Sequence, residues 1–143
     1  MLETAGDNIS LFNIAIRHGH VEVFKKLLPR INLREHSYTY FAASWGRWEI
    51  LKELQKAGIK FSDITMFAAA TNGHIEVVKN LLKEGTPIDN GTVYPVICQG
   101  HLEVLKVLVE VGAEVNYKAA RAAAEYDKEI LEYLREKGLN HDF

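Results

Sequence analysis

Pairs of adjacent apolar residues return along this chain at a nearly fixed interval. Val23/Phe24, Ile50/Leu51, Val77/Val78, Val104/Leu105 and Ile130/Leu131 are each followed four residues later by a second pair or half-pair. These are Leu27/Leu28, Leu54/Gln55, Leu81/Leu82, Leu108/Val109 and Leu134/Arg135. Spacing of i, i+1, i+4, i+5 paints one wide apolar stripe on a helix. Ahead of each stripe stands the same phrase: Gly19-His20-Val21-Glu22-Val23, Gly46-Arg47-Trp48-Glu49-Ile50, Gly73-His74-Ile75-Glu76-Val77 and Gly100-His101-Leu102-Glu103-Val104. The glycines step by 27 residues, and a weaker copy, Tyr126-Asp127-Lys128-Glu129-Ile130, arrives after 26. A fixed period of this size predicts one supersecondary unit stacked on itself, a solenoid rather than a globule with a single centre.

Each position of the unit has a legible task. Glu22, Glu49, Glu76, Glu103 and Glu129 fall in the first turn of the striped helix, where a carboxylate meets free backbone N–H groups and the positive dipole end. Lys25, Lys52, Lys79 and Lys106 follow at i+3, a pairing worth a few tenths of a kcal/mol. Gly58, Gly85, Gly112 and Gly138 then supply a left-handed C-cap, while the first copy ends at Pro29 instead. Before each anchor glycine lies a shorter helix rich in small residues, with alanines that let neighbouring units approach closely. Pro95 fits only if the fourth of these helices starts late, so that proline falls in its first turn. Inner helices are predicted near 10–17, 37–45, 63–72, 92–99 and 117–125. Outer helices are predicted near 20–29, 47–57, 74–84, 101–111 and 127–137.

Helix, Gly-His turn, longer helix ending at glycine and an Ala-Ala pair together resemble ankyrin repeats. The best matches to the family pattern are Met66–Leu82 and Thr92–Val109, and Gly112-Ala113-Glu114-Val115-Asn116 is close to the family's G-A-D-V-N tail. The expected fold is all-α: an ankyrin-like helical-repeat solenoid of five antiparallel helix pairs. It forms a single domain over 1–143, with repeats at 8–34, 35–61, 62–88, 89–115 and 116–140. Ankyrin repeats usually run 33 residues, so each unit here is about six short. The loss falls where the family builds its β-hairpin fingers, as in the short ankyrin-like repeats of giant-virus and protist proteins. β structure is therefore expected to be nearly absent.

Composition narrows function. Hydrophobic content of 48% with 25% charged residues is that of an ordinary folded domain. The N-terminus lacks the basic and apolar segments of a secretory signal, and no apolar run is long enough to span a bilayer. A lone cysteine, Cys98, suits a reducing compartment, so a cytoplasmic setting is expected, inside a host cell for a viral or symbiont chain. The net charge of −2 hides a gradient: residues 1–60 carry nine Lys/Arg against six Asp/Glu, and residues 61–143 eight against thirteen. Such a dipole can steer association.

No enzyme signature is present: no phosphate loop, G-x-S-x-G, H-E-x-x-H or C-x-x-C. No cofactor is implied. His20, His74 and His101 share one repeat position, so stacking separates them by roughly 10 Å. Metal ligands must converge within about 2.1 Å of the ion, so these histidines are expected to hydrogen-bond the turns, and no metal site is predicted.

What remains is a surface that binds another protein. The resemblance implies that the two residues before each anchor point to the concave inner-helix face. The expected contact residues are Arg17 and His18, Ser44 and Trp45, Thr71 and Asn72, and Cys98 and Gln99, with Ala124 and Glu125 in the last repeat. Tyr38 and His36 extend an aromatic-basic patch around Trp45, a hot-spot type of residue. Trp48, where other repeats carry Val21, Ile75 and Leu102, is read as core. A narrower form of the same function is an inhibitor or regulatory subunit of a specific enzyme. Nucleic-acid binding by Arg17, Arg30, Arg34 and Arg47 is the rival class, disfavoured by the net negative charge. A weak homodimer through the apolar N-terminal helix (Leu11, Phe12, Ile14, Ile16) is a further expectation.

Overall fold

The structure, a computed structural model, describes residues 5–34 and 36–143. Among the described residues ten α-helices follow one another in pairs: α1 (Ala5–His18) with α2 (Val21–Leu27), α3 (Tyr38–Ser44) with α4 (Trp48–Lys56), and α5 (Asp63–Thr71) with α6 (Ile75–Lys83). The pairs α7 (Val93–Cys98) with α8 (Leu102–Glu110) and α9 (Tyr117–Tyr126) with α10 (Lys128–Glu136) complete the stack. A single 3₁₀ turn, Leu28–Arg30, continues α2 and contains Pro29. Among the described residues there is no strand. Where a finger would stand before α7, Asp89 closes a tight turn instead, accepting hydrogen bonds from the N–H groups of Gly91 and Thr92.

Each of the first four inner helices is turned into its outer helix by the same backbone device. Gly19 N–H donates to Ile16 O and His20 N–H to Ala15 O, and the same pair of bonds recurs at Gly46/Arg47, Gly73/His74 and Gly100/His101. This pattern satisfies the last carbonyls of the inner helix and requires a left-handed residue at its centre. The anchor glycines supply it, with φ of 69° at Gly46 and 75° at Gly73.

The core is one continuous ribbon. Phe12, Phe24 and Tyr38 form its aromatic end, with Phe12 stacked on Phe24 at 4.5 Å and meeting Tyr38 edge-on at 4.9 Å. The apolar stripes of the outer helices, such as Ile50/Leu51/Leu54 and Val104/Leu105/Leu108, are buried, as are the small and apolar residues of the inner helices, such as Ala42/Ala43 and Val96/Ile97. Burying each such Leu, Ile or Val side chain contributes about 1.5–3 kcal/mol. Trp48 is half-buried against Phe61, its centroid 5.8 Å away.

Three features differ from expectation, and one expectation is met. Helix α1 begins at Ala5 rather than near residue 10. The outer helices are each shorter than expected at the start, because the residue after the glycine serves as N-cap with non-helical dihedrals. Helix α7 does start late, at Val93, which places Pro95 in its first turn. In the fifth repeat the missing residue is lost from the turn: Asp127 is at once the C-cap of α9 and the N-cap of α10. Its Oδ1 accepts from Ile130 N–H.

Successive repeats are also joined by a ladder of side-chain rungs. His74 Nε2 bonds Ser44 O at 2.8 Å and His101 Nε2 bonds Thr71 O at 3.1 Å. Arg47 takes the same role, donating from Nε and Nη2 to Arg17 O. The bond therefore spans two repeats instead of holding the histidine's own turn. His20 is the exception: it lies exposed and stacks on His18 at 5.9 Å. Replacing His74 or His101 with Ala should cost about 1 kcal/mol, the usual worth of one such bond. Urea melts would check it, with His20→Ala expected to be neutral. On the outer side Glu84 bridges to the previous repeat through Lys52 and Gln55, whose hydrogen bonds hold its carboxyl below the ordinary range.

Candidate functional site

The inner helices of consecutive repeats lie side by side, so residues 27 apart line up across the stack. Just before the anchor the series runs His18, Trp45, Asn72, Gln99 and Tyr126, all exposed. The turn deletion in the fifth repeat shifts its register here, so Tyr126 takes the place expected for Glu125, and Glu125 that of Ala124. One residue earlier come Arg17, Ser44, Thr71, Cys98 and Glu125.

These residues divide by what their polar atoms do. Ser44 Oγ donates to Tyr40 O, Thr71 Oγ1 to Phe67 O and Asn72 Nδ2 to Ala68 O, each one turn back on its own helix. Their donors are thus already committed. Arg17 places its guanidinium carbon 5.0 Å from the Trp45 ring centroid. Trp45 keeps 40% of its surface open, so the two form a flat cation–π plate facing solvent. Arg47 lies beneath them with its guanidinium tied to the Arg17 carbonyl, and so it is a structural residue rather than a free cation for phosphate.

Tyr38 does not belong to this surface. It is buried against Phe12 and is part of the core. Tyr38 and Ala42 are four residues apart and share the helix face turned to repeat 1, whereas Tyr40, two residues on, points away from it. Tyr40 is the exposed aromatic of α3. It begins a series the sequence reading missed: Asn13, Tyr40, Phe67, Tyr94 and Arg121, six residues before the anchor in the first four repeats and 27 apart throughout. Three consecutive aromatics at one repeat position were the available signal. Phe67 and Tyr94 are half-buried. Lys118 Nζ sits 4.4 Å from the Tyr94 centroid, and the hydrogen bond to the Cys98 side chain holds the Tyr94 phenol above its ordinary range. The face therefore offers an aromatic row with cations near both ends, Arg17 at one and Lys118 and Arg121 at the other.

Other concavities carry less. A cleft of about 690 Å³ opens on the loop side where fingers are short, floored by Leu82, Ile88 and Val93. Its titratable groups are Asp89 and Glu114 alone, with no base or nucleophile beside them. Among the described residues no three His, Cys, Asp or Glu side chains converge as a metal site would need. No helix among them is long and apolar enough to cross a membrane.

Comparison with known proteins agrees with this architecture. A search of curated sequences finds no match. Among solved structures, the human ASB11 ankyrin repeat domain superposes with a TM-score of 0.75 at 18% identity, covering 89% of this chain and 68% of that one. The family profile for ankyrin repeats (three copies) matches residues 41–119 and 65–143. By that match, together with the repeated glycine turns and paired helices, the chain belongs to the ankyrin-repeat family.

Proposed function

We propose that this protein is a non-catalytic module that binds a partner protein through its inner-helix face. The observation that carries the reading is the aromatic row Tyr40, Phe67 and Tyr94 beside the Trp45–Arg17 plate. Aromatic and arginine side chains are the residues that most often anchor protein interfaces. They expose large apolar area at low entropic cost, and short fingers leave them within a partner's reach. The partner fitting this face carries apolar side chains spaced at roughly the 10 Å repeat interval, with carboxylates toward both ends. The lone, exposed Cys98 suits an intracellular setting.

A photo-crosslinking amino acid at Tyr40 or Trp45 should capture a discrete partner polypeptide in extract of the source cells. The same probe at Glu76 or Glu103, exposed on the outer helices, should not. Capture from the outer positions alone would refute the assignment.

A further inference from the structure

The seams between repeats differ on the loop side. Between repeats 2 and 3 the cleft there is about 390 Å³, and Lys60 is among its lining residues. Gln55 and Glu84, which also line it, are bonded to each other at 3.3 Å, and Lys52 reaches the same carboxylate at 3.0 Å. One repeat on, the positions of Lys52, Gln55 and Glu84 are held by Lys79, Leu82 and Val111. The amide and the carboxylate of the bridge have thus become aliphatic side chains, and at this seam the cleft widens to about 690 Å³. Val111 is 55% exposed, at a position where the other repeats carry Arg30, Ala57, Glu84 and Lys137. With half-buried Leu82 and Ile88 and buried Val93 it makes a continuous apolar floor. Exposed aliphatic groups gathered in one concavity mark a contact site, where single scattered ones would not.

The electrostatics of this cleft have one sign. Asp89 and Glu114 stand exposed on its rim, and no Lys or Arg lines it. Val111, the C-cap of α8, brings the negative end of that helix to the same place. The outer helices α2, α4, α6 and α10 each carry a cation in the last turn, which offsets this end. Helix α8 carries none there and finishes on Glu110. The chain leaves this field uncompensated, so a cation supplied from outside is the group that offsets it.

We propose that this cleft is a second docking site, separate from the inner-helix face, for a partner segment in which a large apolar side chain is flanked by Lys or Arg. The apolar side chain rests on Leu82, Ile88 and Val111, and the cation meets Glu114 and the end of α8. An acidic segment would be repelled by the same groups. A wholly apolar one would desolvate both rim carboxylates without pairing them, which is costly.

Selection of a random twelve-residue peptide library on the 143-residue chain, with counter-selection on its Val111→Lys variant, tests this. Lysine is the residue of the last repeat at this position, and a cation at a helix C-terminus is favourable, so the variant should melt no earlier than the parent. Peptides kept by the parent and not by the variant should join an apolar residue to Lys or Arg. Their affinity should fall at least about tenfold in Val111→Lys and in Glu114→Lys, weaken as salt is raised, and stay unchanged in Trp45→Ala. Enrichment of acidic or uncharged peptides, binding indifferent to both cleft substitutions, or no peptide that tells parent from variant would each overturn the proposal. Equal loss in Trp45→Ala would also overturn it, by placing the contact on the inner-helix face.

Discussion

Gly46→Ala is expected to lower the unfolding free energy by about 3 kcal/mol, from two separate causes. The first is conformational. Gly46 sits at φ 69°, and an L-residue there costs about 1–2 kcal/mol. The second is spatial. A Cβ on Gly46 would stand 2.6 Å from His74 Nδ1, and one on Gly73 would stand 2.7 Å from His101 Nδ1. Each glycine is thus the seat on which the next repeat's imidazole rests while it reaches the carbonyl two residues before that glycine. Gly58, at φ 95° with nothing near its missing Cβ, separates the causes. Gly58→Ala should cost only the conformational part, about 1–2 kcal/mol. In a His74→Ala background the excess cost of Gly46→Ala should disappear. Urea melts of the four chains form a double-mutant cycle, and an excess that persists without the imidazole would refute the seating argument.

The second large effect concerns binding. Trp45→Ala should weaken partner affinity by at least about 2 kcal/mol, close to thirtyfold, while leaving the urea midpoint nearly unchanged. Trp45 is 40% exposed, lies outside the buried core and stacks on the Arg17 guanidinium, so its removal should open little cavity. Tyr40→Ala should behave alike. Tyr38→Ala is the informative contrast. Removing a buried ring in contact with Phe12 should cost about 3–5 kcal/mol of stability, with affinity per folded molecule kept. Calorimetry and melts on the three variants check both halves. Loss of folding in Trp45→Ala with intact affinity would make Trp45 a core residue and displace the site.

Which of these features could be read from residues alone depended on whether their cause is local. Helix pairing, the glycine turns and the late start of α7 follow from spacing and from the needs of proline and glycine, so the sequence displays them. The destination of the histidine rungs is not local. His74 and its acceptor Ser44 O are 30 residues apart, and only the stacked backbone reveals that the bond skips to the previous unit. Tyr38 and Tyr40, two residues apart on α3, fall on different faces of the helix, and burial of Tyr38 against Phe12 of the first repeat is a long-range contact. The aromatic row lies six residues before the anchor, about one and a half turns back along the inner helix from the positions next to the glycine. The fifth repeat misled for a different reason: a one-residue deletion leaves the outer helix in its own register, and the sequence does not say on which side of the turn the residue was lost.

The offset rungs decide how this chain can be cut and recombined. A block copied from one anchor glycine to just before the next carries a glycine seat without the ring that occupies it, and a ring fitted to someone else's seat. A transplantable cassette would instead run from Gly46 through His74, overlapping its neighbour by two residues. Blocks that carry the same Gly-His pair in that overlap should preserve every seam between units, whereas a block whose overlap reads Gly-Arg would recombine mismatched halves, such as an arginine-sized seat under an imidazole.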